Sequence, residues 1–168
     1  MNKVIILDQD GVIVELIRRR RSFEDKTLGL YSPLCLDDVK LVKNIVENIN
    51  KLKTLGYKII IIKNEPSLGR ELSIKEFLKI HYYIAKTIKP DWAYYCPHRD
   101  KDKCECRKPK AELFKEAIKD FNIDIKKSYA IGDNEWDAVP AKFLGFKTYT
   151  IKSNSPIDDI VKEIKNNG

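Results

Sequence analysis

Short apolar segments alternate along the chain with longer segments in which apolar and polar residues mix. The short segments are apolar almost throughout, which predicts buried β-strands; they cover residues 3–7, 58–62, 91–95, 128–131 and 146–151. In the longer segments apolar residues recur at steps of three and four, which predicts amphipathic helices; they cover residues 37–55, 73–88, 110–121 and 136–144, and a last helix opens at residue 155.

Strands that alternate with helices are typical of a parallel sheet covered by helices on both faces. The chain is therefore predicted to be an α/β protein with a Rossmann-like, doubly wound parallel sheet. Ser73 and Glu76 have the spacing of a capping box at the start of a helix. Pro140 is expected near the first turn of its helix, where a missing N–H costs little. His81, in the middle of a helix, is expected to be a packed or surface residue rather than a ligand.

Length and composition fit one domain. The chain has 168 residues, of which 43% are hydrophobic, enough for one sizeable core over residues 1–168. No apolar run approaches the roughly 20 residues that a membrane-spanning helix needs. The N-terminal MNKVIILD reaches an acid at its eighth residue, too early for a signal-peptide core. We therefore expect a soluble, cytoplasmic and monomeric protein.

The formal net charge is +7, from 32 Lys and Arg against 25 Asp and Glu. Such a balance is compatible with nucleic-acid binding, with an anionic substrate or with a lysine-rich surface. The lysines are spread along the whole chain, which favours a solvated surface. The arginine run at residues 18–21 could attract a multiply phosphorylated substrate, contact nucleic acid or simply face the solvent.

Carboxylates follow two of the predicted strands. Asp8 and Asp10 come directly after the first strand, and Asp133 and Asp137 follow the fourth. Because ligands bind beyond the carboxyl ends of parallel strands, these acids are expected to converge at one edge of the sheet. Converging carboxylates repel one another unless a cation joins them, and hard oxygen ligands suit Mg²⁺. A simple turn at the D-x-D-G stretch is the competing interpretation, which the second acidic pair disfavours.

Three of the four cysteines and one of the two histidines lie within eleven residues. In a cytoplasmic protein thiols stay reduced, so clustered cysteines favour a metal site or catalysis over disulfides. Three thiolates and one imidazole make a complete tetrahedral set for Zn²⁺ with no position open to a substrate, which predicts a structural zinc site; the ligands are Cys96, His98, Cys104 and Cys106. A free-thiol cluster, or a redox pair at Cys104 and Cys106, is the alternative.

Between these ligands the segment 99–103 (RDKDK) has no apolar residue to pack, so it should be floppy without metal. Zinc would then fix the two basic residues that follow at once, Arg107 and Lys108. The remaining cysteine, Cys35, is expected to be a small, partly buried residue.

Three motifs, LDQDGV at residues 7–12, RKP at residues 107–109 and GDNEWD at residues 132–137, resemble those of the haloacid dehalogenase superfamily. With the Cys/His loop, and with Asn64 after the second strand, their order is similar to one subgroup. That subgroup contains the D,D-heptose 1,7-bisphosphate phosphatases and the histidinol-phosphate phosphatases. The resemblance covers about residues 3–151, and the loop that runs into RKP is its most specific part.

The resemblance implies a haloacid dehalogenase-like fold with a zinc-binding loop at residues 96–109 and a small flap after the first strand. Asp8 would be the nucleophile that forms an aspartyl-phosphate. Asp10 would protonate the leaving alcohol and then activate the water that hydrolyses the intermediate. Mg²⁺ would be held by Asp8, the Asp10 carbonyl and Asp133, with Asp137 in support.

The resemblance also implies how phosphate is bound, and here the chain departs from the family. Lys108 would stabilise charge on the phosphoryl oxygens, Arg107 would grip phosphate or a sugar oxygen, and Asn64 would contact the phosphate or the substrate. Where the family usually has T-N-Q, the chain has Lys63-Asn64-Glu65. Lys63 could bind phosphate, or it could pair with Asp8 or Glu65 and hinder phosphate entry.

These observations favour a Mg²⁺-dependent phosphatase acting on a small phosphorylated metabolite, with a sugar or heptose bisphosphate as the first candidate and histidinol phosphate as the second. A phosphatase acting on nucleic-acid ends is an alternative suggested by the net charge and the arginine run. A non-catalytic, zinc-stabilised binding protein of the same fold is another, suggested by the Lys63-Asn64-Glu65 stretch.

Overall fold

The structure, a computed structural model, describes residues 1–20 and 28–167. Its strands are β1 (Val4–Leu7), β2 (Ile17–Arg20), β3 (Leu28–Tyr31), β4 (Lys58–Asn64), β5 (Trp92–Cys96), β6 (Tyr129–Gly132) and β7 (Lys147–Thr150). Its helices are α1 (Ile45–Thr54), α2 (Ile74–Ile88), α3 (Glu112–Phe121), α4 (Glu135–Phe143) and α5 (Asp158–Asn167). None of the described helices is long and apolar enough to cross a membrane.

Five of these strands form one sheet in the order β5-β4-β1-β6-β7, and every neighbouring pair is parallel. β1 lies at the centre, where Ile6 pairs with Ile60 of β4 on one side and with Ala130 of β6 on the other. Helical crossovers return the chain to the same end of the sheet, which makes the neighbouring strands parallel. The predicted α/β fold with a parallel sheet is confirmed.

Helices cover both faces of the sheet because its central strands are apolar on both faces. The side chains of β1 alternate between them. Ile5 and Leu7 enter the core beneath α1, α2 and α5, whereas Val4 and Ile6 enter the core beneath α3 and α4. The doubly wound arrangement is therefore confirmed, and it leaves the carboxyl edge of the sheet free for polar side chains.

The first helix is shorter than predicted. α1 begins at Ile45, whereas the apolar spacing predicted a helix from residue 37. Val42 is buried, but its N–H donates to the carbonyl of Ile13 (3.0 Å) in the segment after β1. Long-range pairing of this segment overrides the local helical pattern.

The segment after β1 forms an antiparallel hairpin of β2 and β3, in the place of the flap that the family resemblance implies. Strand alternation separates the arginine run: Arg18 and Arg20 are exposed, whereas Arg19 is half-buried and donates from Nε to the carbonyl of Ser32 (2.8 Å). Arg21, the last residue of the run, lies outside the described residues. Arg18 and Arg20 therefore share one exposed face of the strand, and Arg19 lies on the other.

Two local predictions about helices had different outcomes. Pro140 lies in the second turn of α4, so its predicted place near the first turn is wrong. Its ring has no N–H, so the helical hydrogen bond to the carbonyl of Trp136 cannot form. His81 is a packed residue, as expected: its ring stacks on Phe77 at 6.1 Å, and its Nδ1 lies 3.1 Å from the hydroxyl of Tyr95.

Candidate active site

The chain turns sharply after β1 and presents two carboxylates at the carboxyl edge of the sheet. The N–H of Asp8 donates to the carbonyl of Ile131 on β6 (3.0 Å), which continues the strand pairing one residue past β1. Gly11 has a φ of 79°, a left-handed conformation that other residues rarely adopt. A Cβ at this position would also strike the Asp133 carboxylate. The glycine therefore allows the two acidic loops to approach each other.

Lys108 joins two of the acidic side chains. Its Nζ donates to Asp8 Oδ1 (2.7 Å), to Asp137 Oδ1 (2.5 Å) and to the carbonyl of Ile62 (2.7 Å). Three acceptors match the three protons of the ammonium group. Burial alone would lower the pKa of Lys108, but the Asp8 and Asp137 carboxylates raise it above its ordinary value. Lys108 is therefore a fixed cation beside Asp8.

Three carboxylates form a cluster that fits a divalent cation. Ligand oxygens of Asp8, Asp133 and Asp137 all lie within 4.8 Å of one another. Burial, with Asp137 nearby, raises the pKa of Asp8 to about 8, and burial also raises the pKa of Asp137. Oδ2 of Asp137 is buried and has no hydrogen-bond partner among the described residues. A hard cation would offset the repulsion and give this oxygen a partner, and Mg²⁺ prefers such oxygen ligands.

Side chains near Asp133 hold its carboxylate in place. Ser153 Oγ donates to Oδ2 (2.6 Å), and Asn134 Nδ2 donates to Oδ1 (2.7 Å). Sequence reasoning missed Ser153, which lies in the loop after β7. The one feature of the sequence that could have indicated Ser153 is its position just after the predicted strand that became β7, at the same edge of the sheet as Asp133.

Gly132, the last residue of β6, keeps Asp137 close to this cluster, because a Cβ there would overlap the Asp137 side chain. Gly132→Ala is expected to push the Asp137 carboxylate away from Lys108 and from the other acids. A displacement of about 1 Å in such a site lowers the rate about a hundredfold. Phosphate release measured against Mg²⁺ concentration should show this loss together with weaker Mg²⁺ dependence. Unchanged rate and unchanged Mg²⁺ dependence would contradict the assignment of Asp137.

Asp10 is held by a second buried lysine. Lys63 Nζ lies 3.1 Å from Asp10 Oδ1 and 2.9 Å from Oδ2, and it lies 2.5 Å from Glu65 Oε2. Ser32 Oγ donates to the same Asp10 carboxylate. Pairing of Lys63 with Glu65 is confirmed, but its other partner is Asp10 rather than Asp8. Burial alone would lower the pKa of Lys63, but Asp10 and Glu65 raise it above its ordinary value.

An open cavity of about 310 Å³ lies over these groups. It is lined by Asp8, Asp10, Leu16, Asn64, Arg107, Lys108, Asp133, Asn134, Trp136 and Asp137. Lys63, which was predicted to bind substrate, is not a lining residue; it is buried and its ammonium group contacts Asp10. Leu16 and Trp136 were not predicted, because their apolar side chains carry no chemical signature in the sequence.

The two other residues predicted to bind substrate have partners of their own. Asn64 Oδ1 accepts from the N–H of Lys108 (3.0 Å), and Asn64 Nδ2 donates to the carbonyl of Lys108 (3.1 Å). This pair of bonds ties β4 to the loop after β5. Arg107 Nε donates to Asp100 Oδ1 (2.6 Å), and its Nη1 donates to the carbonyl of His98 (3.2 Å). Asn64 thus positions Lys108, and Arg107 lies at the rim of the cavity.

The four ligands predicted for zinc come together at the end of β5. Their ligand atoms all lie within 4.8 Å of one another and belong to Cys96, His98, Cys104 and Cys106. Five of the distances between these atoms run from 2.9 to 3.6 Å. A zinc tetrahedron has edges of about 3.5–3.8 Å. Burial, with the neighbouring thiols, raises the pKa of Cys106 to about 12. The Cys106 thiol therefore ionises readily only beside a cation, and the cluster fits a tetrahedral ion such as Zn²⁺.

Comparison with curated proteins gives relatives of two kinds. The chain is 32% identical over 126 residues to the D-glycero-beta-D-manno-heptose-1,7-bisphosphate 7-phosphatase of Haemophilus ducreyi. The matched segment covers 67% of this chain and 69% of that protein. The chain is 35% identical over 130 residues to a probable phosphatase of the same kind from Thermoplasma acidophilum, with coverages of 72% and 81%. It is 28% identical over 159 residues to the histidine biosynthesis bifunctional protein HisB of Buchnera aphidicola, with coverages of 91% and 42%.

Comparison with solved structures supports the fold. The D,D-heptose 1,7-bisphosphate phosphatase of B. bronchiseptica, solved with magnesium and phosphate, superposes with a TM-score of 0.79 over 99% of both chains at 18% identity. A family profile for haloacid dehalogenase-like hydrolases matches residues 18–145. The predicted haloacid dehalogenase-like fold and the predicted hydrolase acting on phosphomonoesters are confirmed. By these matches, and by the carboxylate and lysine arrangement at the sheet edge, the chain belongs to the haloacid dehalogenase-like hydrolase family.

Proposed function

We propose that the chain is a Mg²⁺-dependent phosphatase that acts on a small phosphorylated metabolite, with a heptose bisphosphate as the first candidate. The observation that carries the proposal is the setting of Asp8, a buried carboxylate that shares one cavity with Lys108, Asp10 and two further acids. The curated relatives named as heptose bisphosphate phosphatases support the substrate class. We propose with it that residues 1–168 form a single catalytic domain.

Asp8 is the nucleophile of the first step. A carboxylate oxygen of Asp8 bonds to phosphorus while the bond between phosphorus and the leaving oxygen breaks, which gives an aspartyl-phosphate. Asp10 donates its proton to the leaving oxygen, so the alcohol departs neutral. Ser32 and Lys63 hold the Asp10 carboxyl group in one orientation toward the cavity.

Water is the nucleophile of the second step. Asp10, now ionised, accepts a proton from the water as the water oxygen bonds to phosphorus and the bond to Asp8 breaks. Inorganic phosphate leaves, the Asp8 carboxylate is restored, and Asp10 is again protonated. Both residues therefore return to their starting states at the end of each turnover.

Several positive groups offset the charge of the phosphoryl group. Mg²⁺ would be held by Asp8, Asp133, Asp137 and the backbone carbonyl of Asp10, and it supplies charge that offsets repulsion between carboxylate and phosphate. Lys108 stabilises negative charge on the phosphoryl oxygens from a position that Asn64 fixes. Arg107 at the rim binds the substrate.

The Cys/His cluster is proposed to hold a structural Zn²⁺. All four ligands come from the protein, so no position is open to substrate. Arg107 and Lys108 directly follow the last ligand, Cys106, in the sequence. Zinc would therefore fix the start of the segment that delivers both cations to the cavity.

Selective removal of zinc is expected to lower phosphatase activity about a hundredfold at saturating Mg²⁺, because the segment that carries Lys108 is no longer fixed. Elemental analysis of untreated protein should find one zinc per chain, and added zinc should restore activity. Cys104→Ser should lose the metal. Cys35→Ser is the matched control, since Cys35 lies outside the cluster, and it should keep both zinc and activity. Full activity of protein shown to be free of zinc would refute the proposed role.

Histidinol phosphate is the second candidate substrate, favoured by the relatives named histidine biosynthesis bifunctional proteins. Nucleic-acid ends are less favoured, because strand alternation in the flap exposes Arg18 and Arg20 but turns Arg19 inward. A non-catalytic, zinc-stabilised binding protein of the same fold is also less favoured, because it would not need a buried nucleophile beside a buried lysine. A phosphatase acting on a small metabolite is therefore preferred over both alternatives.

One assay tests the proposal. Purified protein with Mg²⁺ is offered heptose 1,7-bisphosphate, histidinol phosphate, other sugar phosphates and phosphorylated oligonucleotides, and released phosphate is measured. The expected result is turnover of a sugar bisphosphate in preference to the oligonucleotides. If no substrate releases phosphate faster with the wild-type protein than with Asp8→Asn, the proposed function is wrong.

A further inference from the structure

The cavity over Asp8 has a second wall that the chemistry of phosphoryl transfer does not use. The acids and Lys108 line its inner end, where the phosphoryl group reacts. Leu16, Arg107 and Trp136 also line it. A substrate whose phosphate reaches Asp8 must place its leaving group against this second wall.

Trp136 is fixed in this wall but remains open to solvent. It lies in the first turn of α4, and its backbone N–H donates to Asn134 Oδ1 at the helix N-cap (2.8 Å). The next residue is Asp137, which Lys108 holds at the metal cluster. The indole is nevertheless 46% exposed, and it is not part of either buried core. A large aromatic ring that lies at a cavity mouth, outside both cores, is a surface available to a ligand.

Arg107 completes this wall. Its guanidinium carbon lies 5.7 Å from the centre of the Trp136 ring, within the range of a cation–π contact. Two of its nitrogens are used by Asp100 and by the carbonyl of His98. Within the described part of the chain, its third nitrogen, Nη2, has no hydrogen-bond partner. Arg107 is therefore held in orientation while one donor edge remains for an anion.

We propose that Trp136 and Arg107 form a leaving-group subsite that takes a sugar ring carrying a second phosphate. The C–H bonds of the ring, which are slightly positive, lie against the negative face of the indole. The second phosphate accepts hydrogen bonds from Arg107. This inference rests on the proposed phosphatase function, and it makes Trp136 a specificity-determining residue. It favours a sugar bisphosphate over a monophosphate whose leaving group carries no anion.

The kinetic test compares two substrates. The ratio of kcat/KM for heptose 1,7-bisphosphate to kcat/KM for methyl phosphate is measured for the wild type, Trp136→Ala and Trp136→Phe. Trp136→Ala should lower the ratio about tenfold, mainly through KM for the bisphosphate, and Trp136→Phe should restore most of it. Trp92→Ala is the matched control, since Trp92 is 56% exposed on the edge strand β5 and should leave both values unchanged. A ratio that Trp136→Ala leaves unchanged would overturn the subsite.

A binding test works without turnover and separates the two proposals. Trp92 and Trp136 are the two tryptophans of the chain, so the variant Asp8→Asn/Trp92→Phe reports on Trp136 alone. Titration with heptose 1,7-bisphosphate should change its fluorescence in a saturable way, at concentrations about tenfold lower than methyl phosphate requires. Emission that does not respond to the bisphosphate refutes the subsite. If the wild-type protein shows no turnover but the fluorescence of the variant responds, the proposed phosphatase function is wrong and the binding site at Trp136 is supported.

Discussion

Substitution of Asp8 by asparagine is expected to lower the turnover number by about four orders of magnitude or more, the scale seen when a covalent nucleophile is removed. Asparagine keeps the size of the side chain and its hydrogen bond to Lys108, but it cannot form the aspartyl-phosphate. The measurement is phosphate release under saturating Mg²⁺. Rapid-quench experiments with radiolabelled phosphate should trap a labelled wild-type protein and no labelled variant.

The same substitution should not unfold the protein, which distinguishes lost chemistry from lost structure. Burial and Asp137 raise the pKa of Asp8 to about 8, so its ionised form is unfavourable in the metal-free protein. Asparagine removes that charge and its repulsion from Asp137. The melting temperature of the metal-free variant should therefore equal or exceed that of the wild type. A lower melting temperature would show that Asp8 is a structural residue.

Substitution of Lys63 by threonine is expected to lower the free energy of unfolding by about 3–5 kcal/mol, because it leaves Glu65 as a buried, unpaired charge. Glu65 is 2% exposed, and its carboxylate contacts Lys63 at 2.5 Å. The pKa of Lys63 is raised above its ordinary value of 10.5, so this stabilisation is complete below pH 10.5 and is lost only at higher pH. Urea denaturation at pH 7 therefore measures the whole contribution.

The second position completes a double-mutant cycle. Glu65→Gln alone should cost less, because Lys63 keeps Asp10 as a partner. Lys63→Thr/Glu65→Gln removes both charges and places the family's usual residues at both positions. It should recover most of the lost stability, with a coupling energy of about 1–3 kcal/mol. Additive losses in the double variant would show that the two side chains do not interact.

The sequence predicted the parts of the site that lie directly after buried strands. The strands are continuous apolar runs, so their ends are marked, and Asp8 and Asp133 follow two of those ends. The Cys/His cluster was equally predictable, because cysteine is rare in this chain and the four side chains lie close in sequence. In both cases the residues that carry the chemistry lie close in sequence to the pattern that marks their place in the fold.

The remaining contacts depend on distances across the fold that no local pattern encodes. Lys63 contacts Asp10, which is 53 residues away, and the choice between Asp8 and Asp10 depends on the exact turn at Gly11. The start of α1 was misplaced because Val42 is apolar in either conformation, and its pairing with the chain after β1 decides between them. Such outcomes require the tertiary structure.

The Lys63–Glu65 pair also sets the order in which this sequence can change. A protein with T-N-Q at these positions that gains glutamate first must carry a buried charge without a partner. The cost of about 3–5 kcal/mol is a large share of the roughly 5–15 kcal/mol that keeps a domain folded. A lysine gained first finds Asp10 already present. The lysine is therefore the substitution that must come first if the glutamate is to be tolerated. A return to T-N-Q must replace the glutamate before the lysine.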